Sequence, residues 1–226
     1  MFRVLKYIRG RRVALVGAVI LAVATIASVT AAGQDRAAEK GVQVVADWGG
    51  CQPVNAPTRD CTGVFLIIDT RTEQGAPTGA SENAFACLFT AATSFVDDVL
   101  VDSSFETGCV PVEAGRLKIA GLSRATLQST SIRQTLFECT VDPEAGEECV
   151  DVGERDITIS ASWTAIARIA RFTDRQTIHV ADCLRMQSIQ AQSRDGVATG
   201  TLAGAPLGRS AFASLSRGKF AMRSTC

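Results

Sequence analysis

Eight cysteines are the residues of this sequence whose type and number could carry chemistry. A structural zinc site needs four closely spaced Cys or His ligands, and a thioredoxin-like redox site needs Cys-x-x-Cys. The chain contains no Cys-x-x-Cys and has one histidine, His179. An even number of cysteines without these motifs indicates disulfide bonds formed in an oxidising compartment. The cysteines are Cys51, Cys61, Cys87, Cys109, Cys139, Cys149, Cys183 and Cys226.

Spacing favours disulfides between cysteines that follow one another in the chain. Cys139 and Cys149 flank the acidic turn DPEAGE and lie in two short segments that resemble paired strands, so they would face each other across a hairpin. Sequence alone does not fix the connectivity, because eight cysteines allow roughly 105 pairings. The predicted bonds are Cys51–Cys61, Cys87–Cys109, Cys139–Cys149 and Cys183–Cys226.

A catalytic triad would have to use His179, and the Gly-x-Ser-x-Gly motif of α/β-hydrolases is absent. His179 lies close to Asp182 in the segment QTIHVADC, which is predicted to be a strand. Alternation directs His179 away from Ile178 and Val180 and toward solvent. We therefore predict no catalytic residue and keep His179 and Asp182 as candidate functional residues. A carboxylate pair suited to glycoside hydrolysis is the other enzymatic alternative, and sequence does not identify one.

No motif in the chain predicts a cofactor. The glycine patterns that cradle phosphates are absent, which disfavours nucleotide cofactors. Asp97, Asp98 and Asp102 form an acidic cluster that could bind calcium, but they lack the order of an EF-hand loop. We interpret this cluster as a solvated loop and expect no metal.

The N-terminal residues 1–32 have the pattern of a secretory signal peptide. Five basic residues precede an apolar run over residues 13–32 that ends in small residues. That run is also long enough for an uncleaved membrane anchor, the only membrane contact we predict. Residues 33–42 are predicted to form a flexible tether and residues 43–226 a single domain. We expect the protein to be secreted, extracellular or located in the cell envelope.

Charge is distributed unevenly after the signal segment. Residues 33–154 contain 8 basic and 19 acidic residues, whereas residues 155–226 contain 10 basic and 4 acidic residues. One interpretation is a basic surface for a polyanion, and the other is two halves whose surface charges offset each other. The basic residues are scattered in sequence, which favours the second. Aromatic residues do not alternate with them, so no nucleic-acid binding is predicted.

Hydrophobic periodicity predicts an all-β fold. In DITISASWTAIA, apolar and polar residues alternate, as in a strand with one buried face, and Trp163 is predicted to lie in the core. The run VFLIIDTRT is typical of a strand buried on both faces. Many such segments separated by Gly, Pro, Asn and Asp indicate an antiparallel β-sandwich or a barrel-like domain stapled by disulfides. The segment SENAFACLFTAATSFVDDVL could instead form a helix capped by Ser81.

These observations predict an exported β domain with a binding or structural role, whose partner is an extracellular ligand or protein of unknown identity. A secreted hydrolase that uses His179 or a carboxylate pair is one alternative. A secreted enzyme inhibitor is the other, with EQGAPTGASEN or DPEAGEE as an exposed inhibitory loop.

Overall fold

A computed structural model describes residues 36–52, 57–73, 83–97, 99–142, 146–180 and 183–225. Every regular element in this part of the chain is a β-strand, and no helix there is long and apolar enough to cross a membrane. The predicted signal peptide or anchor at residues 1–32 lies outside the described residues. The strands are β1 Arg36–Asp47, β2 Gly50–Gln52, β3 Thr58–Glu73, β4 Asn83–Val96, β5 Val99–Pro111, β6 Leu117–Ala120, β7 Arg124–Asp142, β8 Gly146–Ala165, β9 Ala170–Val180, β10 Cys183–Leu202, β11 Ala205–Arg209 and β12 Phe212–Thr225.

The strands form one antiparallel sheet that closes on itself. Neighbours follow the order β1-β12-β10-β8-β7-β5-β4-β3, and β1 also pairs with β3, so the path returns to its start. The short strand β2 pairs with β3, and the short strand β6 pairs with β7, while β9 and β11 both pair with β10. The all-β antiparallel class is therefore confirmed.

The inner face of the ring holds the hydrophobic core. Along β8, Ile157, Ile159, Ala161 and Trp163 are buried, as the alternating pattern predicted. Trp163 is fully buried, and its indole Nε1 donates a hydrogen bond of 2.9 Å to the carbonyl oxygen of Val45 in β1. Because β1 and β8 are not neighbours in the sheet, this bond joins distant parts of the ring across its interior.

The prediction that β3 is buried on both faces is wrong. Leu66 and Ile68 have no solvent exposure, but the alternate residues Phe65 and Ile67 are only partly buried. In a closed sheet only the inner face meets the core, and no described element covers the outer face of β3. A strand formed by an unbroken apolar run can therefore have one face that is partly exposed to solvent.

The helical alternative for residues 81–100 is also wrong for its described part, because Asn83–Val96 is strand β4. Ala86 and Leu88 point inward with no exposure, while Phe85 and Phe89 are 47% and 42% exposed on the outside. The apolar side chains thus lie on both faces of a strand, so Phe85, Leu88 and Phe89 do not share one face. Ser81 lies outside the described residues.

Three predicted element boundaries differ from the structure. The alternating composition of QTIHVADCLRMQSIQAQ predicts one strand, but this segment is divided between β9, which ends at Val180, and β10, which begins at Cys183. The composition of SRDG (residues 193–196) predicts a turn, but this segment lies inside β10. The strand changes neighbours there: it pairs with β12 as far as Asp195 and with β8 from Gly196. In addition, β1 begins at Arg36, so residues 36–42 are strand and not tether.

Three of the four predicted disulfides are confirmed. Each joins residues that lie directly opposite each other on neighbouring antiparallel strands, with Cα–Cα distances of 3.9, 4.1 and 4.0 Å. Cys226 lies outside the described residues, so the fourth bond stays a prediction. The confirmed bonds are Cys51–Cys61, Cys87–Cys109 and Cys139–Cys149.

Gly108 allows the neighbouring strands β5 and β7 to approach each other closely. A Cβ atom at Gly108 would overlap the main-chain oxygen of Arg133 in β7, which cannot move aside as a flexible side chain could. We predict that Gly108→Ala lowers the free energy of unfolding by about 2 kcal/mol or more, as overpacking does elsewhere. Urea denaturation followed by circular dichroism measures this loss. Gly63→Ala is the matched control, because a Cβ there meets no atom within 4 Å; equal losses in both variants would contradict the prediction.

Candidate functional site

At one end of the closed sheet, a concave cavity of about 490 Å³ lies across β1, β3, β9, β10 and β12. We call it the basic mouth, because four cationic side chains line it. Its volume is within the range typical of small-ligand sites. Its lining includes Lys40, Val42, Thr70, Arg171, Thr173, Gln190, Gln192, Arg217 and Lys219.

The basic mouth continues the inner face of the ring. In β12, the alternate positions 215, 217 and 219 change from fully buried Leu215 to exposed Arg217 and Lys219. In β1, fully buried Val44 is followed in the same direction by Val42 and exposed Lys40. Since alternate residues of a strand share a face, the hydrophobic core and the basic side chains belong to one concave surface.

Thr70 and Val42 form the floor between the core and the mouth. The Thr70 side chain is 2% exposed, and its hydroxyl oxygen accepts a hydrogen bond from the Val42 amide at 3.1 Å. The same hydroxyl lies 3.2 Å from the Val42 carbonyl oxygen, to which it donates. The Thr70 hydroxyl thus has main-chain partners for its hydrogen bonds. Polar contacts with a ligand would come from the other lining residues, which lie further from the core.

One cation of the mouth, Arg217, is held by a neutral partner. Arg217 donates from Nε and Nη2 to the Gln192 side-chain oxygen at 2.9 and 2.7 Å, which orients the guanidinium and leaves Nη1 for a ligand. Within the described part of the chain, no carboxylate forms an ion pair with Lys40, Arg171, Arg217 or Lys219. The site therefore has uncompensated positive charge around a concave surface.

The acidic residue of β9, Asp174, is directed to the other face of the sheet. Arg171, Thr173 and Arg175 occupy odd-numbered positions of β9 and face the mouth, whereas Asp174 occupies an even-numbered position and faces outward. Its carboxylate accepts a hydrogen bond of 2.8 Å from the Gln176 side chain on that outer face. Strand periodicity thus separates the two signs of charge and prevents local neutralisation of the mouth.

The sequence-predicted candidate His179 lies near the end of β9, opposite Leu184 of β10, and its side chain is exposed as predicted. Asp182 lies outside the described residues. No described carboxylate contacts His179, and no group of three or more potential metal ligands occurs in the described part of the chain. A general base requires a partner that orients it, and the described residues provide none here.

The other candidate segments are only partly described. Asp97 lies in the turn between β4 and β5, Asp102 lies in β5, and Asp98 is outside the described residues. Most of EQGAPTGASEN and residues 143–145 of DPEAGEE are also outside, so the predicted inhibitory loops stay predictions. The disulfide Cys139–Cys149 does close the base of the second hairpin.

The basic mouth is not apparent in the sequence, because its basic residues are far apart in the chain. A readable signal existed: in β12, positions 213, 215, 217 and 219 read Ala, Leu, Arg, Lys, so one face changes from apolar to basic. The same change occurs in reverse in β1. Only the sheet order shows that both basic ends lie side by side.

Comparisons with known proteins give no relative. No protein-family model matches the chain, and neither a curated protein nor a solved structure shows significant similarity to it. Functional inference therefore depends on the geometry and charge of the chain itself.

Proposed function

We propose that this protein is an exported binding protein whose ligand is anionic and occupies the basic mouth. The observation that carries the proposal is the convergence of Lys40, Arg171, Arg217 and Lys219 on one concave cavity. Without compensating carboxylates, these side chains favour a ligand that supplies negative charge. Gln190 and Gln192 add neutral hydrogen-bonding groups between the cations.

The three disulfides support the exported part of the proposal, because such bonds persist in oxidising compartments. The signal-like residues 1–32 are consistent with it. We propose further that the mature domain stays outside the cytoplasm, free or held by residues 13–32. Binding in place of catalysis agrees with a site in which cations meet amide and hydroxyl side chains and no general base is oriented.

The proposal predicts that small multivalent anions bind the mouth and that binding depends on its cations. Titration calorimetry with citrate and with inorganic phosphate should show binding that weakens as salt is raised, because the attraction is screened. We expect Arg217→Gln and Lys219→Gln each to weaken binding by about tenfold, since each removes one charge-assisted hydrogen bond.

Arg133→Gln is the matched control, because Arg133 is an exposed arginine that pairs with Glu154 at 2.9 Å, away from the mouth. It should bind like the unaltered protein. Anion binding that is absent, or that falls equally in the Arg133 and Arg217 variants, would overturn the proposed site.

A further inference from the structure

Strand β9 has an open edge beside the basic mouth. In the described part of the chain, β9 pairs only with β10. Its neighbour in sequence, β8, pairs with β7 on the opposite side from β10, but that pairing ends at Arg124 and Thr164. Beyond the end of β8, β9 takes its place beside β10, and no described strand pairs with the other edge of β9.

The register shows which main-chain groups point to the open edge. The Asp195 carbonyl oxygen accepts hydrogen bonds from the amides of Ile166 and Ala167, so it faces the β8–β9 side. Along an antiparallel strand this direction alternates, and the β10 register has no shift between residues 184 and 195. The β10 residues that bond to β9 are therefore the odd-numbered ones, such as Ser193 and Ala191.

The partners of these β10 residues in β9 are Ala170, Phe172 and the following even-numbered positions. The odd-numbered positions of β9 consequently direct their amides and carbonyl groups toward the open edge. They also direct their side chains to the face that carries the mouth, because they are paired with Gln192 and Gln190. These positions are Arg171, Thr173, Arg175, Thr177 and His179.

We propose that an acidic, extended polypeptide adds to β9 as an antiparallel strand. This inference deepens the anion-binding function proposed above and rests on it. Main-chain hydrogen bonds to the odd-numbered positions of β9 supply affinity, as in other cases of strand addition. Every second side chain of the added strand then lies beside Arg171, Thr173 or Arg175, and Lys219 and Lys40 follow further across the same face.

Charge selects an acidic partner over a second copy of this chain. A symmetric antiparallel pair of β9 strands centred on Arg175 would place Arg175 beside its copy. Centring on Thr173 would place Arg171 beside Arg175. Like charges directly opposite each other destabilise a strand pair, and exposed charges on edge strands commonly prevent self-association. Glutamate or aspartate at the matching positions turns the same repulsion into attraction.

The test uses the mature protein and a synthetic peptide of alternating glutamate and valine, about as long as β9. In the antiparallel arrangement, the peptide residues whose amides face β9 are those whose side chains face the mouth. We therefore expect N-methylation of the glutamates to weaken binding about a hundredfold, because it removes several main-chain hydrogen bonds at once. N-methylation of the valines should leave the affinity within about threefold.

Two protein variants provide a matched pair. Thr177→Pro removes one amide that points to the open edge and spares the bonds to β10, since proline is tolerated on edge strands in this orientation. It should weaken peptide binding about tenfold, whereas Thr177→Ala, at a position that does not line the basic mouth, should bind within about threefold of the unaltered protein. Hydrogen exchange at the odd-numbered amides of β9 should be fast in the free protein and slow in the complex.

Three results would overturn the inference. They are equal binding of the two N-methylated peptides, equal binding by the two Thr177 variants, and slow exchange of the odd-numbered β9 amides before peptide is added. If citrate still binds and responds to Arg217→Gln in those cases, the anion site stands and strand addition alone is rejected. If citrate fails to bind while the peptide discriminates between the methylated forms, the open edge is the site and the proposed cavity ligand is rejected.

Discussion

Reduction of the disulfides will cost this protein most of its stability. The three confirmed bonds close loops with sequence separations of 10, 22 and 10 residues. Loop entropy in the unfolded chain assigns about 3 kcal/mol to each, or roughly 9 kcal/mol together. Net stabilities of single domains are about 5–15 kcal/mol, so the reduced chain should be unfolded or close to its unfolding midpoint at room temperature.

The measurement is urea denaturation of the oxidised protein and of the reduced, alkylated protein, followed by circular dichroism. An intact mass taken before and after reduction counts the bonds and tests whether Cys183 and Cys226 form the fourth. As a site-by-site control, paired alanine replacements of Cys87 and Cys109 and of Cys139 and Cys149 should each cost about 3 kcal/mol. A free energy of unfolding that falls by less than about 1 kcal/mol on reduction would contradict this account.

The location of these disulfides explains why they could be predicted from sequence. Each bond joins strands that are paired, and for Cys139 and Cys149 the hairpin itself was visible as two apolar segments around a turn. Cys87 and Cys109 likewise belong to the hairpin of β4 and β5. Local chain reversal determines such pairs, so nearest-neighbour pairing in sequence was sufficient.

Closure of the sheet could not be predicted, because it depends on contacts between distant segments. β1 pairs with β12 near the other end of the chain and with β3 on its other side. Periodicity reports which face of a strand is apolar and carries no information about its neighbours. The turn predicted at SRDG failed for the same reason: the composition is typical of a turn, but pairing with β12 and then β8 keeps β10 extended there.

The candidate site could not be predicted for the same reason, because it too depends on which strands are neighbours. Counting charges along the chain suggested scattered arginines that offset the acidic half. In the sheet, Arg217 and Lys219 of β12 lie between Lys40 of β1 and Gln190 of β10, and Arg171 follows on β9. Basic residues separated by more than a hundred positions thus share one face, while alternation directs Asp174 to the other.

Replacement of Trp163 should produce the largest effect of any single substitution considered for this chain. Trp163 is the largest fully buried side chain, and its Nε1 bond to the Val45 carbonyl crosses the interior of the ring. We expect Trp163→Ala to lower the free energy of unfolding by about 4 kcal/mol, through loss of apolar burial and the cavity that remains.

The hydrogen bond can be separated from packing by comparing two milder variants. Trp163→Phe keeps an aromatic ring but leaves the buried Val45 carbonyl oxygen without its indole donor, which costs about 1–3 kcal/mol in addition to the lost volume. Trp48 is also buried, yet its Nε1 has no hydrogen-bond partner in the described part of the chain, so Trp48→Phe removes volume without breaking such a bond. Urea denaturation should therefore rank Trp163→Ala as most destabilising, then Trp163→Phe, then Trp48→Phe. If Trp48→Phe were as damaging as Trp163→Phe, the bond to Val45 would contribute nothing measurable, and packing alone would hold β1 and β8 together across the ring.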